Sequence, residues 1–387
     1  MSAGKKRRMR VWIVNPFDNL PLEGYRPQRY WLMARGFVAA GHKVVYWTSD
    51  FSHATKRKRE VVYKPSDGFV VRMVPSMAYS ANVCIRRLVS HWRLARTWKR
   101  LAENEAERPD VIIASTPPLG LCSAALRYAK KHGVFFVADI MDAWPETFER
   151  IVPQWMLHPM GRMASRIYTQ ADAISAVAER YIDLARSYGA TVPVKLSYHG
   201  IELGHEYEAR VKGNEGTVRL VYIGSFGASY DLETVIDAVK QVPNATLDIA
   251  GSGPKEALLR KSAEGCYRIR FHGYLADDEM KKLLRNCDIG LVPMFPDSCV
   301  GVPYKLADYA AAGLRIVECL GGETHSLVER FHAGVHYEPR NVGSLVAALG
   351  QPIDVNWNPS AFAATFDAKR IMAEYVLWVE GQNSPDE

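Results

Sequence analysis

The strongest constraint on this chain is a repeated alternation of short apolar, β-branched runs with longer stretches of helical period. Runs of that kind are strands buried on both faces, and alternating them with helices builds parallel sheets covered on two sides. A first series of strands is predicted at 11–15, 43–48, 69–74, 111–114, 134–138, 173–175 and 194–196. After a polar stretch at 204–217, which reads as a linker, a second series is predicted at 219–223, 245–250, 268–271, 289–292, 315–317 and 334–336. Two doubly wound α/β domains in tandem follow, which suits 387 residues, since one core seldom organises more than roughly 250–300. The predicted boundaries are 1–199, 200–355 and a C-terminal segment, 356–387, whose helical pattern over 359–379 is expected to cross back to the first domain.

Other classes fall away quickly. No apolar run approaches the roughly 18–20 residues that span a bilayer, and the opening Lys5-Lys6-Arg7-Arg8 is followed only by Val11-Trp12-Ile13-Val14 before Asn15-Pro16. A signal peptide needs a longer apolar core, so a cytoplasmic protein is expected. The six cysteines form no Cys-x-x-Cys, and the eleven histidines no His-Glu-x-x-His, so neither a disulfide scaffold nor a metal site is indicated. The first strand runs into Asn15-Pro16-Phe17-Asp18 rather than a glycine-rich dinucleotide fingerprint.

The formal net charge of +7 conceals an asymmetry. Residues 1–199 carry 31 Lys and Arg against 16 Asp and Glu, a surplus of +15, whereas 200–387 carry 18 against 26, a deficit of −8. An anionic partner is therefore expected at the first half. In open sheets, ligands bind beyond the carboxyl ends of the strands, so function is sought in the loops there. The first such loop offers Gly24, Arg26 and Arg29, whose amides and guanidiniums suit an anion, or which form an ordinary exposed loop.

Several loops resemble the acceptor half of family 4 glycosyltransferases: Arg26-Pro-Gln-Arg-Tyr, Ala138-Asp-Ile-Met-Asp-Ala-Trp-Pro-Glu146 and Ala171-Asp-Ala-Ile-Ser-Ala-Val177. In the second half Leu220-Val-Tyr-Ile-Gly-Ser225, Leu247-Asp-Ile-Ala-Gly-Ser-Gly-Pro254, Phe271-His-Gly-Tyr-Leu275, Val302-Pro-Tyr-Lys-Leu-Ala-Asp-Tyr309 and Ala311-Ala-Gly313 resemble that family's nucleotide-sugar half. The Asp-Ile-x-Asp-x-Trp-Pro string looks most like the branch that builds bacterial surface polysaccharides. The resemblance implies a GT-B fold, two Rossmann-like domains facing each other across a cleft. It also implies transfer of a sugar from a nucleoside diphosphate to a hydroxyl with retained anomeric configuration, without a metal or other cofactor. Such a catalyst needs cations and helix N-termini aimed at the departing diphosphate.

On that pattern Lys305, just past Val302-Pro303-Tyr304, is the expected leaving-group cation, and Asp308 stands where the family places a ribose-binding glutamate. The family's other glutamate, eight positions earlier, is Val300 here. Gly224, Ser225, Phe226 and Gly227 supply amides to phosphate, and Gly251 and Gly253 form a second cradle or a plain tight turn. Tyr274 lies where the base is contacted. In the acceptor half Asp142, with Asp139 beside it, is the candidate base, alternatively a helix cap, since Met141 replaces the histidine of many relatives.

Between Cys84 and Leu101 an amphipathic helix is predicted. Arg86, Arg87, Arg93 and Arg96 with Trp92 and Trp98 give it the chemistry of an anionic membrane surface, the alternative being a helix packed on its own sheet. The clusters at 5–10 and 56–59 favour the membrane. The sequence thus predicts a peripheral membrane glycosyltransferase with a nucleotide-sugar donor, a lipid-linked saccharide acceptor and no nucleic acid. The alternatives are an inactive glycan- or nucleotide-binding subunit and a nucleotide-sugar epimerase.

Overall fold

A computed structural model describes residues 7–60, 67–81, 84–149, 152–203 and 216–383. Lys5, Lys6 and most of the 204–217 stretch lie outside the described residues. The chain forms two compact units, Met1–Gly200 together with Ala368–Glu387, and Ile201–Asp367.

The first unit holds β1 (Arg10–Val14), β2 (Lys43–Ser49), a small hairpin of β3 (Phe51–Ser52) and β4 (Arg57–Lys58), β5 (Val70–Val74), β6 (Val111–Thr116), β7 (Phe135–Ile140), β8 (Ala173–Ala176) and β9 (Val194–Leu196). Apart from the hairpin these make one parallel sheet in the order β5-β2-β1-β6-β7-β8-β9. Its helices are α1 (Arg29–Ala39), α2 (Ile85–Glu103), α3 (Leu119–His132), α4 (Gln154–Gln170) and α5 (Glu179–Ser187). Helix α3 ends where Gly133 turns left-handed, φ 65°, after Lys130, Lys131 and His132 have met the negative end of the helix. Every residue of β6 is buried, which is why it opens on an unbroken apolar run, Val111–Ala114, rather than alternating, before ending on Ser115 and Thr116.

The second unit holds β10 (Val218–Ile223), α6 (Leu232–Gln241), β11 (Ala245–Ala250), α7 (Glu256–Ser262), β12 (Ile269–Gly273), α8 (Asp277–Arg285), β13 (Ile289–Val292), α9 (Tyr304–Ala311), β14 (Arg315–Glu318), α10 (Gly322–Arg330), β15 (Gly334–His336), α11 (Val342–Gly350) and α12 (Pro359–Thr365). Its sheet is parallel throughout, in the order β12-β11-β10-β13-β14-β15.

The helical pattern expected over 359–379 is divided between the units. Helix α12 packs on α9, whereas α13 (Ala368–Gln382) packs on α1. The break falls at Phe366 and Asp367, where the Ile201 amide donates to the Phe366 carbonyl at 2.8 Å and Ile201 bridges to Asp367. Close fit holds α13 in place. A Cβ added at Gly36 would lie 3.0 Å from the Met372 Cβ, and one at Gly200 would lie 2.7 Å from the Ala368 Cα. Buried Phe37 meets Tyr375 edge to face, and His42 pairs with Glu380 at 2.8 Å. Each sheet reverses its strand order once, between β1 and β6 and between β10 and β13, and those reversals open the crevices where ligands of such folds sit.

Candidate active site

In the second unit the reversal point is formed by the loop after β10 and the start of α9. Pro303 occupies the N-cap of α9 with φ −74° and ψ 144°, so Lys305 falls in the first turn. Lys305 is 7% exposed, with its Nζ 3.9 Å from the Tyr222 ring centroid and 4.4 Å from that of Tyr230. Its Nζ has no hydrogen-bond partner among the described residues. Burial pushes the ammonium well below the ordinary lysine range, opposed by the neighbouring Asp308 carboxylate. A buried donor without an acceptor calls for an explanation, and an anion's oxygen is the group this one lacks.

Two features aim that ammonium. On the opposite wall, Gly224 is exposed at φ 138°, and a Cβ there would lie 2.9 Å from the Lys305 Nζ. Glycine is required by that backbone and by the approach of the amine. One helical turn beyond Lys305, Tyr309 is buried and accepts from the Ile223 amide at 3.0 Å while donating toward the Leu291 carbonyl at 3.2 Å. Its ring fills the space a side chain at Gly290 would take, 2.4 Å from an added Cβ, and so fixes α9 against β10 and β13.

The other residues expected at the donor divide in two. Val302 and Asp308 are buried beside Lys305, Tyr304 is half-buried, and Ser225 and Gly227 open toward solvent at the loop. Phe226 does not face a ligand. Its side chain is 1% exposed in the core, and its amide donates to the Ser252 carbonyl at 3.0 Å. The Gly224 amide is likewise engaged, with the Ala250 carbonyl at 2.9 Å. Gly251 and Gly253 are glycines because this loop rests on them: added Cβ atoms would lie 1.8 Å from the Gly224 carbonyl oxygen and 2.6 Å from the Phe226 nitrogen. Their structural demand is loop-on-loop packing, joined at Gly251 by a φ of 137°. Tyr274 is 69% exposed after β12.

In the first unit the structure corrects two expectations. Arg29 and Asp139 are 1% and 0% exposed and form a bidentate ion pair, with Nε and Nη2 each 2.8 Å from a carboxylate oxygen. The remaining Nη1 of Arg29 donates to the Ser197 and Tyr198 carbonyls. Asp139 also accepts from Tyr30 at 2.7 Å and Ser175 at 2.6 Å. Burial raises the Asp139 carboxyl, but Arg29, Ser175 and Tyr30 outweigh it and hold it below its ordinary value. Arg29 therefore cannot meet an acceptor, nor Asp139 a hydroxyl; together they tie α1, β7, β8 and the chain's exit from β9. Gly24 is exposed in the loop before α1, and Arg26 is half-buried there.

Asp142 is half-buried at the carboxyl end of β7. Its Oδ1 accepts from the Ala143 amide at 2.9 Å and the Thr147 hydroxyl at 3.1 Å within its own loop, but it caps no helix: the short turn at Glu146–Phe148 has Pro145 at its N-cap and no side-chain cap bond. Burial raises its pKa, opposed by those bonds and by Arg87. Sequence reasoning missed the aromatic cage beside it: Arg87 lies over the rings of Phe17, Tyr79 and Trp144, at 5.8, 5.9 and 5.1 Å. His91 packs against Phe17 and Trp144 there, its imidazole pushed down to about 3 by burial and by Arg87. These residues come from four loops and helices, so no local pattern marks them.

Helix α2 is amphipathic with a twist in its apolar stripe. Ile85, Leu88, Val89 and Trp92 are 80%, 55%, 38% and 55% exposed, alongside exposed Arg86, Arg93 and Arg96, with Arg96 over the Trp92 ring at 4.2 Å. Trp98 is no part of that face: it is fully buried against Trp47 and Tyr128. Arg87 turns inward to the cage. Between α2, α3 and α4 lies a cavity of about 390 Å³, lined by Leu88, Trp92, Leu119, Met160 and Met163 and edged by Arg96, Lys99 and Arg127. No described helix is long and apolar enough to cross a membrane.

Residues 29–205 match the family described as Glycosyltransferase Family 4, and residues 217–354 that described as Glycosyl transferases group 1. No curated protein matches the chain by sequence. Among solved structures, sucrose-phosphate synthase from Thermosynechococcus elongatus is similar with a TM-score of 0.73 at 13% identity, over 97% of this chain and 99% of that one. The Anabaena HepE protein, in complex with UDP and glucose, gives 0.68 at 14% identity over 97% and 100%. The lipopolysaccharide outer core galactosyltransferase WaaB gives 0.61 at 13% identity over 96% and 100%. At such identities the likeness is one of fold. With two parallel-sheet Rossmann-like units, each matched by its own glycosyltransferase family, this chain belongs to the family 4 type of GT-B glycosyltransferases.

Proposed function

We propose that the protein transfers a sugar from a nucleoside diphosphate sugar, held by the second unit, to a lipid-linked saccharide held by the first, in bacterial surface polysaccharide synthesis. Lys305 carries this reading: a buried cation at the reversal point of the sheet, pinned by Tyr309 and lacking an acceptor, suits the oxygens of a departing diphosphate. The positive end of α9 adds to it. The fold-likeness to HepE, which is in complex with UDP and glucose, supports the donor class, and that to WaaB the polysaccharide role. On this reading Lys305 and the positive end of α9 neutralise the departing diphosphate, transfer needs no metal and retains configuration, and the leaving phosphate itself takes the acceptor's proton. Asp142 then orients the acceptor hydroxyl rather than ionising it, since its Oδ1 is engaged locally.

At the acceptor, Arg87 and its aromatic ring set suit a sugar stacked near a phosphate. The exposed apolar residues of α2 and its arginines suit the anionic inner face of the plasma membrane. The basic rim of the α2–α4 cavity suits a lipid phosphate and its apolar lining the chain.

Titration calorimetry with a panel of nucleoside diphosphate sugars, then turnover on a polyprenyl-diphosphate saccharide in the presence of chelator, tests the reading. Product with retained configuration is expected. Binding without turnover would favour an inactive binding subunit, a reading that Val300 and Met141 keep open, and release of an isomerised nucleotide sugar would favour an epimerase.

A further inference from the structure

At the carboxyl ends of β14 and β15, away from the loop after β10, three side chains converge that the transfer reaction does not use. Glu318 is fully buried at the end of β14. Its Oε1 lies 3.0 Å from the Nδ1 of His325, on α10, and 2.8 Å from the Nδ1 of His336, at the end of β15. Its Oε2 accepts from the Gly321 amide at 2.9 Å, which fixes the carboxylate plane. The two imidazole rings stand edge to face, 5.3 Å apart, so their Nδ1 atoms meet on one oxygen instead of stacking.

We propose that Glu318, His325 and His336 form a binding site for a divalent transition-metal ion, zinc in the first place. The donor set, two imidazole nitrogens and one carboxylate oxygen, is a zinc set that leaves a fourth position for water. Bonds of about 2.0–2.1 Å in a tetrahedron put ligand atoms about 3.3 Å apart. Here all three ligand atoms lie within 4.8 Å of one another, so small side-chain rotations admit the ion. One outer-shell group is at hand. The far nitrogen of His325, Nε2, faces Glu329 Oε1 at 3.4 Å, the carboxylate partner that orients a metal-bound imidazole through its other N–H. His325 and His336 are 35% and 37% exposed, which gives the ion a path and the water its place.

To bind the ion, each neutral imidazole moves its hydrogen from Nδ1 to Nε2 by exchange with solvent, with no net loss of a proton, and the freed Nδ1 lone pair goes to the metal, where protons in solution compete for it. Affinity therefore falls as pH drops. The ion joins β14, α10 and the edge strand β15, so its effect is on the stability of that edge of the second unit. Sequence spacing hid the site because the ligands stand 7 and 18 residues from Glu318 and on three different elements.

The test is calorimetric titration of the metal-stripped protein with zinc chloride, with thermal melting beside it. The expected result is one zinc per chain and a higher melting temperature in its presence. His325→Ala and His336→Ala are each expected to weaken binding by more than about 100-fold, and Glu329→Gln by about 10- to 100-fold. Cobalt(II) in place of zinc should give the intense visible absorption of a tetrahedral site, lost in either histidine variant, and melting without metal reports whether each variant folds. Absence of zinc binding by the parent chain overturns the proposal. So does equal binding by a folded His325→Ala, His336→Ala double variant, which would assign the metal to other groups.

Discussion

Replacing Lys305 by Met separates what this residue does for the fold from what it does for transfer. In the folded chain the ammonium is 7% exposed, with no hydrogen-bond acceptor for Nζ among the described residues and two tyrosine rings as its nearest company. Desolvating a lone cation costs several kcal/mol even after relaxation, which ring contacts of about 2 kcal/mol each offset in part. Methionine has nearly the same length and no charge, so Lys305→Met should leave the fold as stable or make it about 1–2 kcal/mol more stable. Transfer should suffer in the opposite sense. Loss of one well-placed donor to developing negative charge costs about 2–4 kcal/mol, a drop of roughly 30- to 1,000-fold in kcat/KM. The pH dependence adds a second signature. Because Lys305 is held well below 10.5 in the folded chain, the unfolded chain binds a proton there that the folded chain does not. The penalty is fully present below the folded value and is lifted as pH rises toward 10.5, so stability rises with pH across that window. The variant should lose that slope. Initial rates with the donor found by calorimetry, and melting curves over a pH series, check both. A variant that loses stability and activity together would make Lys305 a structural residue, and near-normal kcat/KM would remove it from the mechanism.

Two further outcomes follow from the first unit. Asp139→Asn or Arg29→Met leaves a buried charge without its partner and should destabilise by about 3–5 kcal/mol in denaturant unfolding, with much of that loss recovered when both are replaced. Since Asp139 is held below 3.8, its stabilisation is present above that pH and lost as pH falls through the folded value, so the parent chain should show an acid-limb slope that the double variant lacks; identical acid limbs would refute the assignment. On α2 the two tryptophans should part company: Trp98→Ala costs about 3–5 kcal/mol of stability. Trp92→Ala, or Arg86, Arg93 and Arg96 changed to Gln, should leave melting intact and release the protein from anionic vesicles. Unchanged sedimentation with vesicles would sink the membrane reading.

Much of the architecture was legible in the order of the residues. All thirteen predicted strands are present, within a few residues at their ends; the central ones, covered on both faces, write their burial directly into apolar runs, and the partly exposed edge strands β5, β9, β12 and β15 follow the same alternation with helices. The hairpin at Phe51–Ser52 and Arg57–Lys58 was not, being two residues on each side. The expected single C-terminal helix was interrupted by a contact with Ile201, some 165 residues away, which no local pattern records. On α2 the periodicity was right and its meaning was not uniform: the same apolar stripe is exposed at Ile85 and buried at Trp98, which packs against Trp47 of the sheet and Tyr128 of α3.

The sequence by itself determined that there are two parallel sheets, where each strand lies to within a few residues, and that Lys305 falls in the first turn of a helix after Pro303, because each rests on the chemistry of neighbouring residues. Only the tertiary structure decided which charges are free to act. Arg29 and Asp139, 110 residues apart, looked like two site residues and are each other's counter-ions, whereas Lys305 lies buried with its Nζ unmatched. Glu318, His325 and His336 had no shared motif and meet on one oxygen. Whether a charge is neutralised depends on what lies within a few ångströms after burial, and burial removes the water that would otherwise serve every charge alike. That condition is set by the packing of distant elements, which a linear pattern does not carry.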